Sequence, residues 1–346
     1  MNISQFQKDI LAWYQEHQRI LPWRIKISNP YHTWVSEIML QQTTVPTVIS
    51  YFHRFLERWP TVQELASASL DEVLHLWQGL GYYSRARNLH LCAKKIVEEF
   101  QGVFPEEEAQ LKKLPGIGDY TAAAIRSIAF NKPSIVVDGN IERIISRLFL
   151  IQEQFPASKR TIKKYAAKIS SNEFPGDYAQ ALMDLGSSIC TPSNPKCYEC
   201  PIQNHCKAKD RNPDSYPKRE KKAEKPKRYG TLFWIENSKG EIFIEKRPEK
   251  GLLGGLMGFP TSEWATHRKK VTAPFKGKWK KSPTLISHTF THFHLTLEIL
   301  EGTTNETLPG LWVNQKDFGQ HAFPTLMKKA IKIMNHPTSS SAATGA

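Results

Sequence analysis

The chain has 346 residues, 40% of them hydrophobic, which is enough for two domains with cores of their own. A net charge of +14 favours a polyanionic partner, nucleic acid ahead of an acidic membrane surface, and no apolar run reaches the length of a membrane span. Five cysteines, four of them clustered, argue against a disulfide scaffold and for a reducing compartment.

Residues 1–206 read as a series of helices. Phe6, Ile10, Trp13 and Tyr14 keep a three-to-four spacing after Ser4, which is expected to cap the first helix. Val48, Ile49, Phe52, Phe55 and Leu56 form the next stripe, and Ser69 with Glu72 fits a capping box. Ala86, Leu89, Ala93, Ile96, Val97 and Phe100 predict a long amphipathic helix, and further stripes follow at 119–130, 140–151, 159–170 and 178–190. Residues 207–228 hold ten Lys or Arg, four acidic residues and three prolines, a composition that predicts a basic linker, either a solvated spacer or a strap along phosphates. From Tyr229 the period becomes two: Leu232, Trp234 and Ile235 lead to a turn at Asn237–Gly240, and Ile242 and Ile244 lie on the return strand. Phe290–Leu300 and Gly310–Val313 read as strands and Phe323–Ile331 as a closing helix, so residues 229–336 are expected to form a small α+β domain, with a disordered tail over 337–346. Met1–Ile10 carries neither a secretory apolar core nor the arginines of a transit peptide, and a cytoplasmic location is expected.

The cysteines fall as Cys190-x6-Cys197-x2-Cys200-x5-Cys206. Four thiolates suit either zinc or a [4Fe–4S] cluster, and spacing alone leaves both open. Leu114-Pro115-Gly116-Ile117-Gly118 lies between two helical stripes, where glycines permit a tight turn whose backbone N–H groups can meet a DNA phosphate without reading a base. Asp138, in Val136-Val137-Asp138-Gly139-Asn140, is placed to cap the next helix, and a capping carboxylate is expected to stay ionised and able to face a cationic sugar. Asn140 is expected to orient it or a water. Glu37 is flanked by Val35, Ile38 and Met39. It is either an exposed neighbour of a buried stripe or a buried acid with a raised pKa. In the second case one carboxyl is pushed up and the other held down, as acid-assisted glycosidic cleavage requires.

Several blocks resemble the MutY-type adenine glycosylases of the helix-hairpin-helix superfamily: Leu21-Pro22-Trp23-Arg24, Ser36-Glu37-Ile38-Met39-Leu40-Gln41-Gln42-Thr43, Gln78-Gly79-Leu80-Gly81-Tyr82-Tyr83-Ser84-Arg85-Ala86, the Gly116–Gly118 hairpin with Asp138-Gly139-Asn140, and the cysteine loop. The resemblance spans roughly residues 5–335. It implies a mainly α helix-hairpin-helix glycosylase domain over 1–206 whose cysteine loop, 190–206, holds a structural [4Fe–4S] cluster, with Lys196 and Lys207 near phosphates. Glu37 would protonate adenine and then activate water, and Asp138 would stabilise the oxocarbenium ion. Gln42, Leu80 and Tyr82 would wedge into the duplex, and Arg24 and Gln180 would line the adenine pocket. Tyr120 stands where bifunctional relatives carry a lysine; a phenol forms no imine, so base removal without a strand-cutting step is expected, with Tyr120 bonded to the carboxylates.

The second domain resembles the Nudix-like domain appended to these enzymes. Gly251–Pro260 matches its glycine-rich block, with Leu253 where tryptophan is frequent. Glu263 is followed by His267, Arg268, Lys269 and Lys270 rather than by an acidic metal-binding helix, which argues against nucleotide hydrolysis. The stretch 265–281 has seven Lys or Arg and no acid, as a DNA-facing loop should. Phe290-Thr291-His292 aligns with a Phe-Ser-His block that implies recognition of 8-oxoguanine opposite adenine. The resemblance thus implies a monomeric adenine glycosylase on double-stranded DNA containing A:8-oxoguanine or A:G, working at the nucleoid of a bacterial cytoplasm with further repair proteins as unassigned partners. An enzyme for another base and a non-catalytic iron–sulfur mismatch sensor are the rival readings; Phe290-Thr291-His292 weighs against the first, and Glu37 with Asp138 against the second.

Overall fold

A computed structural model describes residues 1–25, 28–220, 223–249 and 251–335. The tail expected to be disordered, 337–346, lies outside the described residues. The chain forms two compact units: Met1–Ser67 with Asn88–Lys222, and Ala68–Arg87 with Ala223–Ala346.

The helices run in chain order α1 (Ile3–His17), α2 (Pro30–Leu40), α3 (Val45–Arg58), α4 (Val62–Ser67), α5 (Leu70–Leu76), α6 (Ser84–Phe100), α7 (Glu108–Leu111), α8 (Asp119–Ala124), α9 (Gly139–Phe149), α10 (Lys159–Ile169) and α11 (Pro175–Ser188). None is long and apolar enough to cross a membrane. The cap of α1 is Asn2, whose side chain accepts from the Gln5 N–H, so the helix starts before Ser4. Asn29 caps α2, with Pro30 in the first turn where its missing N–H costs nothing. The Ser69–Glu72 capping box is closed in both directions at α5. In the first unit α1, α9, α10 and α11 share one core, in which Phe6, Ile10, Ile144, Ile145, Leu182 and Leu185 are buried. α2 packs against α3, α8 and a π-helical turn over Ile125–Ala129 that continues α8.

The front of the basic stretch is not a solvated spacer. Ala208 and Tyr216 are buried, the Phe155 N–H donates to the Lys218 carbonyl at 2.8 Å, and Phe155 bridges to Arg219. A few apolar anchors hold a segment whose composition is otherwise that of a linker.

In the second unit, seven strands make one mixed sheet: β1 (Lys227–Glu236), β2 (Ile242–Lys246), β3 (Met257–Gly258), β4 (Trp279–Lys281), β5 (Ile286–Thr289), β6 (His294–Thr303) and β7 (Leu311–Val313). β1 runs parallel to β6 from Lys227↔His294 to Glu236↔Thr303, and the other pairings are antiparallel. The β1–β2 hairpin closes at Asn237, whose side-chain oxygen accepts from the Lys239 and Glu241 N–H groups, and at Gly240 with φ +76°. Alternation along β1 feeds two cores. Leu232 and Trp234 join Phe259, Leu297 and the helix α12 (Thr325–Asn335), while Phe233 and Ile235 join Phe243 and Phe275. Among the described residues no helix forms between Glu263 and β4.

Phe259 is fully buried and stacks on Phe323 with ring centroids 5.5 Å apart, close to Trp234 at 4.7 Å. Phe259→Ala should destabilise the second unit by about 3–5 kcal/mol, measured as an earlier transition in urea denaturation while the transition of the helical unit stays in place.

Candidate active site

Glu37 lies on a helix that is apolar nearly all round: Trp34, Val35, Ile38 and Met39 are buried beside it. The glutamate itself is 6% exposed. Burial pushes its carboxyl up to about 7; the Tyr120 hydrogen bond opposes this, the Asp138 charge adds to it and the Arg24 charge opposes it. The Tyr120 hydroxyl, on the first turn of α8, donates to Glu37 Oε2 at 2.5 Å. Burial and the nearby charges of Glu37 and Asp138 hold that phenol well above its usual range, so it stays a donor.

Asp138 caps α9. Its Oδ1 accepts from the Ile141 N–H at 2.8 Å and its Oδ2 from Asn140 Nδ2 at 2.9 Å. The sequence-based expectation of a depressed carboxylate is corrected here. Enclosure outweighs the hydrogen bonds from Ile141 and Asn140 and the Arg143 charge, and the Asp138 pKa is raised. Asn140 is itself fixed, because its Oδ1 accepts from Arg143 Nη2 at 2.9 Å. Arg143 also donates to the carbonyls of Gly186 at 2.6 Å and Cys190 at 2.7 Å.

Arg24 is committed to Asp184, with Nη1–Oδ2 at 2.6 Å and Nη2–Oδ1 at 2.9 Å, and Asp184 also accepts from the Arg19 N–H. The pair is nearly buried, and its forked geometry sets the guanidinium plane. Gln180 lies one turn before Asp184 on α11, its Nε2 donating to the Gly176 carbonyl at 3.4 Å. Gln42 is exposed with φ +59°, a left-handed conformation that a glutamine rarely adopts. In the hairpin between α7 and α8, both glycines are exposed but only Gly116 needs its freedom, at φ +77°; Gly118 is extended. Asp119, beside the turn, pairs with Lys112 and Lys163.

The second unit brings together another group. Gly79, Gly81 and Tyr82 all have positive φ, and the Arg85 guanidinium donates to the carbonyls of Leu80 and Gly81 across this turn. Tyr82 is 44% exposed and its hydroxyl lies 2.8 Å from Thr291 Oγ1. Leu80 is 6% exposed, so its side chain does not stand out as a wedge in the way the resemblance implies. Thr291 and His292 are exposed at the tight turn between β5 and β6, where the Phe290 N–H donates to the Phe293 carbonyl. Phe290 stacks on Trp264, and Lys225 Nζ donates to its carbonyl. In the basic stretch 265–281, Arg268 and Lys281 pair with Glu298 and Lys269 with Glu263; the charges of those three residues are partly spent within the fold.

Cys190, Cys197, Cys200 and Cys206 line one cavity together with Ile144, Arg147, Ile189 and Ile202, and none is in a disulfide. Four soft thiol donors around one cavity fit an iron–sulfur cluster. Burial pushes Cys200 up to about 12 and also raises Cys197 and Cys206, so a bound cationic centre is what would keep these sulfurs as thiolates.

Residues 35–171 match the family of HhH-GPD superfamily base excision DNA repair proteins, 190–206 the iron–sulfur binding domain of endonuclease III, and 231–332 the NUDIX domain. A thermostable thymine-DNA glycosylase superposes with TM-score 0.55 at 27% identity, over 59% of this chain and 95% of that one. An endonuclease III–DNA complex superposes at 0.52 and 24% identity over 60% and 97%, which shows the fold. Fold and site therefore define a helix-hairpin-helix base excision repair glycosylase with a [4Fe–4S] cluster. The adenine DNA glycosylase of Buchnera aphidicola (Baizongia pistaciae) is 43% identical over 75% of this chain and 74% of its own, and those of Homo sapiens and Rattus norvegicus are each 34% identical over 96% of this chain and 74% and 78% of theirs. The chain belongs to the adenine DNA glycosylase family.

Arg143, Asp184 and Gly186 were not singled out in the sequence. A Cβ on Gly186 would lie 2.5 Å from Asn140 Cβ, so only glycine lets α11 approach the residue that aligns Asp138. Gly186→Ala should cut single-turnover base release at least about tenfold with substrate binding retained, since small misplacements of reacting groups cost this much or more. The neutral form of Glu37 is favoured by folding, so its contribution to stability is full below the ordinary carboxylate range and is lost as pH rises to about 7. Glu37→Gln should flatten stability between pH 5 and 8, measured by urea denaturation at each pH. Wild-type base release should fall as pH rises through about 7, a limb seen in a single-turnover pH profile.

Proposed function

We propose that this protein is a monofunctional DNA glycosylase that hydrolyses the N-glycosidic bond of adenine mispaired with 8-oxoguanine or guanine, and so initiates base excision repair. The observation that carries the proposal is the buried Glu37 carboxyl, hydrogen-bonded to Tyr120 and coupled to the Asp138 charge. The adenine is first extruded from the duplex, at a cost of a few kcal/mol that is least at a mispair. Glu37 gives its proton to adenine N7. The C1′–N9 bond breaks, its electron pair leaves with the base, and the positive sugar faces Asp138, held by Asn140 and the Ile141 N–H. Water then attacks C1′ and returns a proton to Glu37. Tyr120 offers no amine, so no covalent strand-cutting step is built in.

Arg24, its plane set by Asp184, and Gln180 line the adenine pocket. Gln42 and Tyr82 stand exposed on left-handed backbone and enter the duplex, while buried Leu80 supports the turn behind Tyr82. Gly116 and Gly118 present the hairpin to a phosphate. Phe290, Thr291 and His292 read 8-oxoguanine, with the Thr291 hydroxyl oriented by Tyr82. The four cysteines hold the [4Fe–4S] cluster, which shapes the 190–206 loop and takes no part in the excision. Residues 1–206 make up the catalytic domain, 207–228 the basic connection and 229–336 the lesion-reading domain, and the protein works as a monomer on nucleoid DNA.

End-labelled duplexes with A:8-oxoguanine, A:G, T:G and A:T pairs, incubated with the protein and then treated with hot alkali, test this. Breaks are expected after alkali only, at A:8-oxoguanine and A:G. Breaks without alkali would remove the monofunctional assignment, and breaks at T:G alone would remove adenine as substrate. Glu37→Gln should slow base release by about 10²–10⁴-fold and still bind the mispair.

A further inference from the structure

Arg147 is 1% exposed, among the largest fully buried side chains of the protein. It projects from α9, two turns beyond the Asp138 cap. Nε donates to the Pro213 carbonyl at 2.8 Å, Nη1 to the Thr191 carbonyl at 2.7 Å and Nη2 to the Pro192 carbonyl at 3.0 Å. Nη1 also donates to Cys190 Sγ at 3.3 Å. The one carboxylate recorded near it, Asp214, is 3.9 Å from Nη2 and 44% exposed. Burying a guanidinium is costly unless an anion compensates it, and three carbonyl dipoles do so only in part. Arg147 lines the cavity that the four cysteines also line, and an iron–sulfur cluster held there by four thiolates would supply the missing negative charge. Arg143, one turn earlier, is different: its bonds go to carbonyl and amide oxygens and none to sulfur.

We infer that Arg147 is the internal counter-charge of the iron–sulfur centre, and that its hydrogen bond to the Cys190 sulfur raises the cluster's reduction potential and slows its loss. A cation and an N–H donor at a ligand sulfur both favour the more electron-rich state of a cluster. This makes Arg147 a positioning and tuning residue for the cofactor, separate from the excision chemistry.

The test uses the cluster-loaded full chain. Arg147→Met keeps the volume and removes charge and donors; Arg147→Lys keeps the charge without the planar fork. Film voltammetry should find the Met variant at a more negative potential than wild type and the Lys variant between them. Iron should leave the Met variant several-fold faster on exposure to a chelator. An unchanged potential in a Met variant with full iron and sulfide content overturns the inference whatever its rate of iron loss, because a role limited to stapling the loop would leave the potential of loaded molecules in place. Should the Met variant fail to load, wild-type protein grown with ¹⁵N-arginine supplies the answer. Pulsed EPR of its oxidised cluster should detect an arginine nitrogen, and that coupling should be lost in Arg147→Lys. No coupling in wild type, or a coupling that survives the lysine exchange, overturns the inference equally.

Discussion

A carboxyl group enclosed by its own helix is the constraint around which the helical unit is arranged. α2 buries Glu37 among Trp34, Val35, Ile38 and Met39, and no basic side chain is in ion-pair contact with it among the pairs recorded for the described residues. Its closest polar partner is the neutral hydroxyl of Tyr120. A lysine or arginine in that place would have held the acid ionised at neutral pH; a phenol at 2.5 Å bonds it and still leaves desolvation dominant. Glu37 is buried within this unit, and Asp138 lies close enough for its charge to be felt.

α9 does the second half of that work and links the site to the cysteine loop. Its first residue beyond the cap is Gly139, and its cap is Asp138. One turn on, Arg143 ties Asn140 to the carbonyls of Gly186 and Cys190, and a further turn on, Arg147 reaches Cys190 Sγ, Thr191, Pro192 and Pro213. Two buried arginines on one helix face thus join a carboxylate at its N-terminus to a loop that would otherwise have little core. A cluster held by the four thiolates would give that loop stability that its apolar content cannot, in line with how small metal-bound segments fold.

Local chemistry made much of this readable from the chain. The apolar neighbours of Glu37 left burial and exposure both open, and the resemblance of its block singled it out, whereas Asp138 was legible as a cap from Asp-Gly-Asn. The β1–β2 hairpin was legible from Asn237–Gly240, and the capping box from Ser69 and Glu72. What escaped depends on partners far along the chain. Asp184 meets Arg24 across 160 residues, and the direction of the Asp138 shift comes from enclosure by segments that no local pattern describes. Tyr216 and Ala208 anchor a stretch dominated by lysines, so composition outvoted two buried residues. Leu80 looked like a wedge by position, yet the positive-φ turn of Gly79, Gly81 and Tyr82 exposes the tyrosine and tucks the leucine in. The π-helical turn at Ile125–Ala129 has no sequence signature distinct from a continued α-helix.

The raised pKa of both carboxyls is not a defect of the site. Each is raised first by burial, and Glu37 is raised further by the charge of Asp138, so the free protein resists holding two negative charges there. A proton held on Glu37 relieves that conflict and leaves the one negative charge on Asp138, which alone of the two has N–H donors from the backbone and from Asn140. The proposed division of roles therefore rests on hydrogen bonding, not on a difference in burial. In the proposed mechanism, positive charge developing on the sugar meets Asp138, already ionised, and Glu37 becomes an anion only as its proton passes to the leaving base. On that proposal, the mutual repulsion that favours a proton on Glu37 in the free protein is relieved by the cationic sugar that forms between the two carboxyls.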